Sequence, residues 1–119
     1  MNAMRYILMS HVDDSALAEM PPEDFEATMG RFVSFTQALA ESGVLRGAEQ
    51  LQPADTATTV RNRQGEALLT DGPYAELAES FGGFWIVEAT DLDTVLKYAA
   101  DCPAADFGSV EVRSLAELG

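Results

Sequence analysis

Two segments of helical periodicity, each lying between strand-like runs, constrain the fold of this chain more than any other feature. The first begins near Pro22, because a proline followed by acids suits a helix N-terminus, and Gly43 is its natural end. Its apolar face recurs at alternating steps of four and three residues: Phe25, Met29, Phe32, Thr36 and Leu39. The second follows Thr90, which with Asp93 matches a capping box, and it ends at Cys102-Pro103. The sequence therefore predicts one long helix and one shorter helix.

Strand-like segments surround the two helices in a regular order. We predict strands over residues 6–9, 44–51, 82–89 and 109–113, and a hairpin of residues 56–63 and 66–70 around a Gln64-Gly65 turn. Residues 10–19 are predicted to be a polar loop, and residues 74–80 are predicted to form one helical turn. The order strand-helix-strand, hairpin, strand-helix-strand is typical of an α+β, ferredoxin-like antiparallel sheet with both helices on one face. A chain of 119 residues provides for one such domain, covering residues 1–119.

The face of the sheet opposite the helices needs a cover of its own. A second copy of the same sheet is the simplest cover, so we expect a homodimer of the dimeric α+β barrel type. Val60, Leu68 and Trp85 are the predicted members of this second apolar layer.

Charge and composition exclude several classes of protein. Seven basic residues stand against twenty acidic ones, which gives a formal net charge of −13 and a pI near 4.1. We therefore expect no nucleic-acid partner and no binding to anionic membranes, since both need basic surfaces. Cys102 is the only cysteine, so no internal disulfide forms. The first residues match neither a signal peptide nor a membrane span, and we expect a cytoplasmic protein.

The middle of the chain carries a family resemblance. The motif Asp71-Gly72-Pro73-Tyr74, followed by Gly82-Gly83-Phe84-Trp85, resembles the DGPF domain family within the YCII-related group. Residues 47–53 and 58–61 upstream, and 100–105 and 108–113 downstream, also fit this family, so the resemblance covers nearly the whole chain. Tyr74 departs from the name-giving motif, which has phenylalanine at that position.

The resemblance implies a dimeric ferredoxin-like α+β barrel and little about chemistry. A His–Asp pair has been suggested as an active site in YCII-like members, and related proteins are often encoded near extracytoplasmic-function sigma factors. Many DGPF-type sequences have an aromatic residue near the end of the first strand. The resemblance therefore does not by itself assign to His11 the role of the histidine in the suggested His–Asp pair.

Asp71 and His11 are the candidate catalytic residues. Asp71 lies between a strand end and a rigid Gly-Pro turn, where its carboxylate would act as a general base or cap its own turn. His11 is the only histidine, and its alternatives are a proton carrier and a surface side chain in a polar loop. If the two side chains met, they would form an acid–base dyad.

Three further residues are candidates for substrate binding. Glu49 is predicted to need a partner, either Arg61 or Arg113, in a structural ion pair or an anion-recognising wall. Tyr74 would donate a hydrogen bond to a ligand or cover the edge of its pocket. Gly82-Gly83 is interpreted as a bulge or a close backbone approach rather than a phosphate cradle. No spaced set of metal ligands and no cofactor motif is present, so neither a metal nor a cofactor is predicted.

Three functions remain open from the sequence. The first is a cofactor-independent enzyme acting on an unknown small molecule, with a pocket lined by His11, Asp71, Glu49 and Tyr74. The second is a non-catalytic binding or accessory module beside a transcriptional regulator of the sigma-factor type. The third is an interaction unit without a ligand.

Overall fold

The computed structural model describes residues 3–117. Its strands are β1 (Met4–Val12), β2 (Leu45–Gln50), β3 (Thr58–Arg63), β4 (Glu66–Asp71), β5 (Ser80–Ala89) and β6 (Ser109–Ser114). Its helices are α1 (Asp14–Ala18), α2 (Pro22–Glu41), α3 (Leu92–Asp101) and α4 (Ala104–Phe107), with a 3₁₀ turn at Ala54–Thr56. Among these residues, no helix is long and apolar enough to cross a membrane.

Four of the six strands form one antiparallel sheet, in the order β2-β5-β1-β6. Each half of the chain contributes a strand, a helix and a returning strand, which confirms the predicted ferredoxin-like α+β fold. The predicted hairpin is also confirmed, but β3 and β4 pair only with each other in a separate two-stranded sheet. We call this hairpin, residues 58–71, the arm.

Local signals set most of the helix boundaries. Pro22 begins α2, and Gly43 ends it with a φ of 78°, a left-handed conformation that glycine adopts without steric cost. The N-cap of α3 is Asp91 rather than the predicted Thr90. Its Oδ1 accepts hydrogen bonds from the Thr94 backbone N (2.8 Å) and Oγ1 (2.9 Å). The donating Thr94 groups hold the pKa of Asp91 below its usual value.

Two loop predictions are wrong. Residues 10–19 are not wholly a loop, because β1 runs to Val12 and α1 begins soon after it. Asp13 caps α1, its Oδ1 accepting from the Ser15 N at 2.9 Å and the Ala16 N at 3.2 Å. Residues 74–79 contain no helical turn and return to β5 through bends.

A single hydrophobic core lies between the helices and one face of the sheet. Strand alternation brings Leu8 and Val87 to this face, and both are fully buried. Phe35 and Leu39 of α2 and Val95 of α3 pack in the same cluster, so both long helices cover the same face.

Trp85 belongs to this core and not to the second apolar layer for which it was predicted. Its ring packs edge-on against the Phe35 ring, with 5.1 Å between the ring centroids. It stacks on the Phe32 ring, with 6.1 Å between the centroids. Its Nε1 donates a hydrogen bond to the Thr36 Oγ1 at 2.9 Å. The phase of the alternation in β5 decides this, because Trp85 shares the side of Leu8, which stands opposite it in the sheet.

Gly82-Gly83 forms a β-bulge, as the sequence predicted. Ser10 pairs with Gly83 and His11 pairs with Phe81, so Gly82 is the extra residue. A Cβ atom on Gly83 would come 3.0 Å from the Glu49 carbonyl oxygen, which shows a close backbone approach. The bulge turns Phe81 to the same side of the sheet as His11.

The arm extends away from the rest of the chain. The radius of gyration is 16.4 Å; a compact domain of this length has about 13.5 Å. Every residue of β4 is exposed, including Leu68 and Leu69, and Val60 on β3 is exposed as well. Val60 stands opposite Leu69 and Leu68 stands opposite Arg61, so Val60 and Leu68 lie on opposite faces of the hairpin. The prediction that they belong to one apolar layer is therefore wrong.

Candidate functional site

The face of the four-stranded sheet opposite the helices is uncovered in the single chain, and we call it the open face. By register, its middle is apolar, with Ile7, Met9, Phe84 and Ile86 on β1 and β5. Charged or titratable side chains lie around this middle: His11, Glu49, Glu111 and Arg113. All four apolar side chains are half-buried.

His11 is hydrogen-bonded to Glu111 on the open face. The His11 Nε2 and the Glu111 Oε1 lie 2.9 Å apart, and the two side chains are 24% and 50% exposed. Glu111 stands opposite Met9 in the sheet, so it is diagonal to His11 across β1 and β6. A carboxylate only accepts hydrogen bonds, so Nε2 carries the proton, and Nδ1 of the neutral ring is free to act as a base.

Aromatic rings flank this pair on its other side. The centroid of the Phe81 ring lies 5.9 Å from that of the His11 ring, and the centroids of the Phe81 and Phe84 rings lie 6.5 Å apart. The bulge at Gly82 is the cause of this arrangement, because without it Phe81 would point to the helix side. The imidazole therefore lies between a carboxylate and an apolar aromatic surface.

The backbone around His11 is held by its neighbours on β6 and by the segment that precedes β5. His11 pairs with Ser109, whose Oγ donates to the Glu79 Oε1 at 2.6 Å. Gly108 precedes Ser109, and a Cβ atom there would overlap the His11 carbonyl oxygen. Glycine is therefore required at residue 108 for β6 to approach β1 at the site.

Asp71 lies at the end of β4, opposite Thr58, and is exposed. In the described part of the chain the turn after it is closed by other groups. The Gly72 N donates to the Ala57 O at 2.7 Å, and the Thr59 Oγ1 donates to the Gly72 O at 2.8 Å. The hydrogen-bond partner of His11 within one chain is thus Glu111, while the Asp71 carboxylate is presented to solvent.

The predicted binding residues do not converge within one chain. Arg61 and Tyr74 lie together at the arm, where the Arg61 Nη2 donates to the Tyr74 O at 3.1 Å, and Tyr74 is 74% exposed. Glu49 lies on β2, at the edge of the sheet, and is also exposed. The expected ion pair of Glu49 with Arg61 or Arg113 is absent from residues 3–117, because a carboxylate in water needs no partner.

A cavity on the helix side was not predicted from the sequence. It has a volume of about 570 Å³ and lies between α2 and the sheet, with a mainly apolar lining that includes Phe32, Val33 and Trp85. Ser10 and Thr36 are among its polar lining residues. A second space of about 760 Å³ adjoins it beneath α1 and shares Met29. Packing of α2 creates this cavity, and no motif in the sequence marks it.

Other reactive groups lie away from these surfaces. Burial raises the pKa of the Cys102 thiol to about 11, so the thiol stays protonated and poorly nucleophilic. Within the described ranges, no three His, Cys, Asp or Glu side chains are grouped as metal ligands would be.

Comparison with known proteins places the chain in a family. The model of the YCII-related domain matches residues 4–118. An uncharacterized protein of Rhizobium meliloti (strain 1021) is 33% identical over 115 residues, which is 95% of this chain and 93% of that protein. The solved structure of 5-chloro-2-hydroxyhydroquinone dehydrochlorinase from Burkholderia phenoliruptrix AC1100, in complex with 2,5-dihydroxybenzoquinone, aligns with a TM-score of 0.54 and 13% identity. That alignment covers 95% of this chain and 94% of the other, and the likeness is one of fold. On its sequence and its architecture, the chain belongs to the YCII-related domain family.

Proposed function

We propose that this protein is a cofactor-independent enzyme that moves a proton on a small molecule in the cleft of a cytoplasmic homodimer. His11 is the proton carrier, and Glu111 orients its imidazole. The observation that carries the proposal is the 2.9 Å approach of the His11 Nε2 to the Glu111 Oε1 beside the Phe81 ring.

The surroundings of the pair suit general acid–base catalysis. With Nε2–H donated to Glu111, the Nδ1 lone pair can take a proton from a substrate and later return it. The rings of Phe81 and Phe84 offer an apolar surface on which a flat substrate would lie, and a covered apolar cleft would strengthen the electrostatic interactions in it. Proton transfer of this kind needs no metal or organic cofactor.

The remaining candidate residues have roles in the same proposal. Asp71 supplies a second carboxylate as base or orienting group, and Glu49 faces the cleft from the edge strand on the side of Phe84. Arg61 and Tyr74, which are held together at the arm, bind polar groups of the substrate.

Surface area supports the homodimer. The chain exposes 8096 Å²; a folded monomer of its mass exposes about 6,300 Å². The excess of about 1,800 Å² per chain is more than the roughly 800 Å² that each partner buries in a standard protein–protein interface. Light scattering at micromolar concentration is expected to give the mass of two chains, and the mass of one chain would contradict the dimer.

The experiment that tests the pair of His11 and Glu111 is ¹⁵N NMR of the single histidine. In the wild type, the neutral His11 ring is expected to be the Nε2–H tautomer, and in Glu111→Ala a mixture of both tautomers. Glu79→Ala is the matched control, because it removes a neighbouring carboxylate that bonds Ser109 and not His11. The role of Glu111 in orienting His11 is refuted if Glu111→Ala has the same tautomer ratio as the wild type.

A turnover screen then tests catalysis. A dehydrochlorinase of the same fold acts on a chlorinated hydroxyhydroquinone, so hydroxylated aromatic compounds form the first panel. For any compound that is turned over, the rate in His11→Asn is expected to be lower than in the wild type by a factor of about 10²–10⁴. This is the usual contribution of a general acid–base group. Equal rates in both proteins would remove His11 from the mechanism.

The cavity under α2 favours a second candidate function. Its volume and mainly apolar lining suit a small-molecule binding site, and the protein would then be a binding or accessory module linked to a sigma-factor regulatory system. This alternative predicts that a ligand quenches the fluorescence of Trp85, the only tryptophan, without turnover and equally well in His11→Asn.

A further inference from the structure

The two faces of the arm differ in what covers them. Residues directly opposite each other share a face, so Asp71, Leu69 and Val60 lie on one side of the hairpin, together with Thr58. We call this side the outer face of the arm. Leu69 is 71% exposed and Val60 is 59% exposed, so no residue between 3 and 117 covers the outer face.

The opposite side of the arm contacts the chain's own return segment. There the Thr59 Oγ1 donates to the Gly72 O at 2.8 Å, and the Arg61 Nη2 donates to the Tyr74 O at 3.1 Å. These bonds fix the arm at its base and leave the outer face directed away from the chain. An isolated two-stranded hairpin is at best marginally stable in water, so the arm needs a surface to pack on.

The open face of the sheet is the matching bare surface. It offers Ile7, Met9, Phe84 and Ile86, and the helices cover only the other side of the sheet. Since one chain leaves both the open face and the outer face of the arm uncovered, two chains related by a two-fold axis can cover both pairs of surfaces together.

Charge also favours a second copy as the occupant. The chain carries a net charge of −13, yet the arm has two basic residues (Arg61, Arg63) and two acidic ones (Glu66, Asp71), so its own charge is zero. A body-to-body approach of two chains is repulsive, whereas the neutral arm can approach the partner without that cost.

We infer that the arm of a second copy completes the candidate site. Its outer face packs over the open face, so the partner's Asp71 lies beside His11 and Glu111 as the second carboxylate of the cleft. This inference rests on the proposed function, and it makes each site a composite of two chains.

The experiment is a mixed-label titration of subunits by ¹⁵N NMR. Wild-type chains with labelled histidine are unfolded and refolded with a tenfold excess of unlabelled Asp71→Asn chains. The ring nitrogen shifts of the labelled His11 are expected to match those of the pure Asp71→Asn protein, although the labelled chain has its own Asp71. The converse mixture, labelled Asp71→Asn with excess unlabelled wild type, is expected to show the wild-type shifts.

A matched control comes from the same arm. Glu66→Gln removes a carboxylate on the opposite side of the hairpin, where residue 66 stands across from Arg63 in the strand register. This variant is expected to leave the His11 shifts unchanged in either mixture. The inference is wrong if the labelled His11 follows residue 71 of its own chain. It is equally wrong if the shifts ignore residue 71 altogether.

Docking of the arm has an independent readout. Leu69→Asp is expected to convert the dimer to a single chain in light scattering, while Leu77→Asp, an exposed site outside the arm, leaves the dimer intact. A dimer that survives Leu69→Asp would overturn the docking of the outer face. The Glu111→Ala tautomer test does not involve the arm, so its failure contradicts the proposed function, whereas failure of the mixed-label test alone contradicts only the composite site.

Discussion

The hydrogen bond between Trp85 and Thr36 provides the sharpest test of how the core beside the cavity is held together. The Trp85 Nε1 donates to the Thr36 Oγ1 at 2.9 Å, and the Thr36 hydroxyl in turn donates to the Phe32 carbonyl at 3.0 Å. Trp85 is only 6% exposed. Thr36→Val keeps the shape of the side chain but removes the acceptor, so the indole N–H is left buried and unpaired.

The magnitude follows from that unpaired donor. Leaving a buried hydrogen-bond donor without a partner costs about 1–3 kcal/mol. The lost bond to Phe32 adds little, because a helix carbonyl at that position already accepts from the backbone N–H four residues later. For a domain of this size, 1 kcal/mol corresponds to about 3–6 °C in Tm, so the variant is expected to melt roughly 3–18 °C below the wild type.

Urea denaturation followed by tryptophan fluorescence measures the loss directly, since Trp85 is the only tryptophan. Protein concentration must be equal in all samples, because association shifts apparent stability. Thr36→Ser is the control: it loses a methyl group but keeps the acceptor, so it should be more stable than Thr36→Val. If Thr36→Val is within about 0.5 kcal/mol of the wild type, the indole finds another partner, such as water in the cavity, and the reasoning fails.

Two further predictions concern the strand beside His11 and the buried thiol. Gly108→Ala is expected to displace β6 from β1, because the new Cβ would overlap the His11 carbonyl oxygen. Its Tm should fall more than that of Gly82→Ala, whose nearest neighbour is a side-chain methyl, and an equal fall in both would contradict this account. Burial raises the pKa of Cys102 from 9.0 to about 11, so the unfolded chain loses its thiol proton at lower pH than the folded one. Folding stability is therefore expected to decrease as pH rises from 9 to 11, and this decrease should be smaller in Cys102→Ala; identical pH profiles by urea denaturation would refute the assignment.

The sequence by itself determined the elements and their order, because the signals for them are local. Pro22 and Gly43 bound α2 through proline's fixed φ and glycine's access to positive φ, and these preferences need no distant contacts. The Gln64-Gly65 turn, which places two residues at positive φ, likewise fixed the hairpin. The bulge at Gly82-Gly83 could be predicted from the sequence for the same reason, since glycine permits the close approach of the Glu49 backbone. From that order of elements, the ferredoxin-like topology followed.

Only the tertiary structure decided which surfaces and side chains meet. Period-two alternation in β5 predicts two faces but not which face the helices cover, so Trp85 was assigned to the wrong layer until its register with Leu8 was known. His11 and Glu111 are one hundred residues apart in sequence, and the β1–β6 pairing alone joins them. The exposure of Glu49 depends on β2 being an edge strand. Pairing partners, register and burial arise from long-range contacts, and those contacts leave no local signal in the sequence.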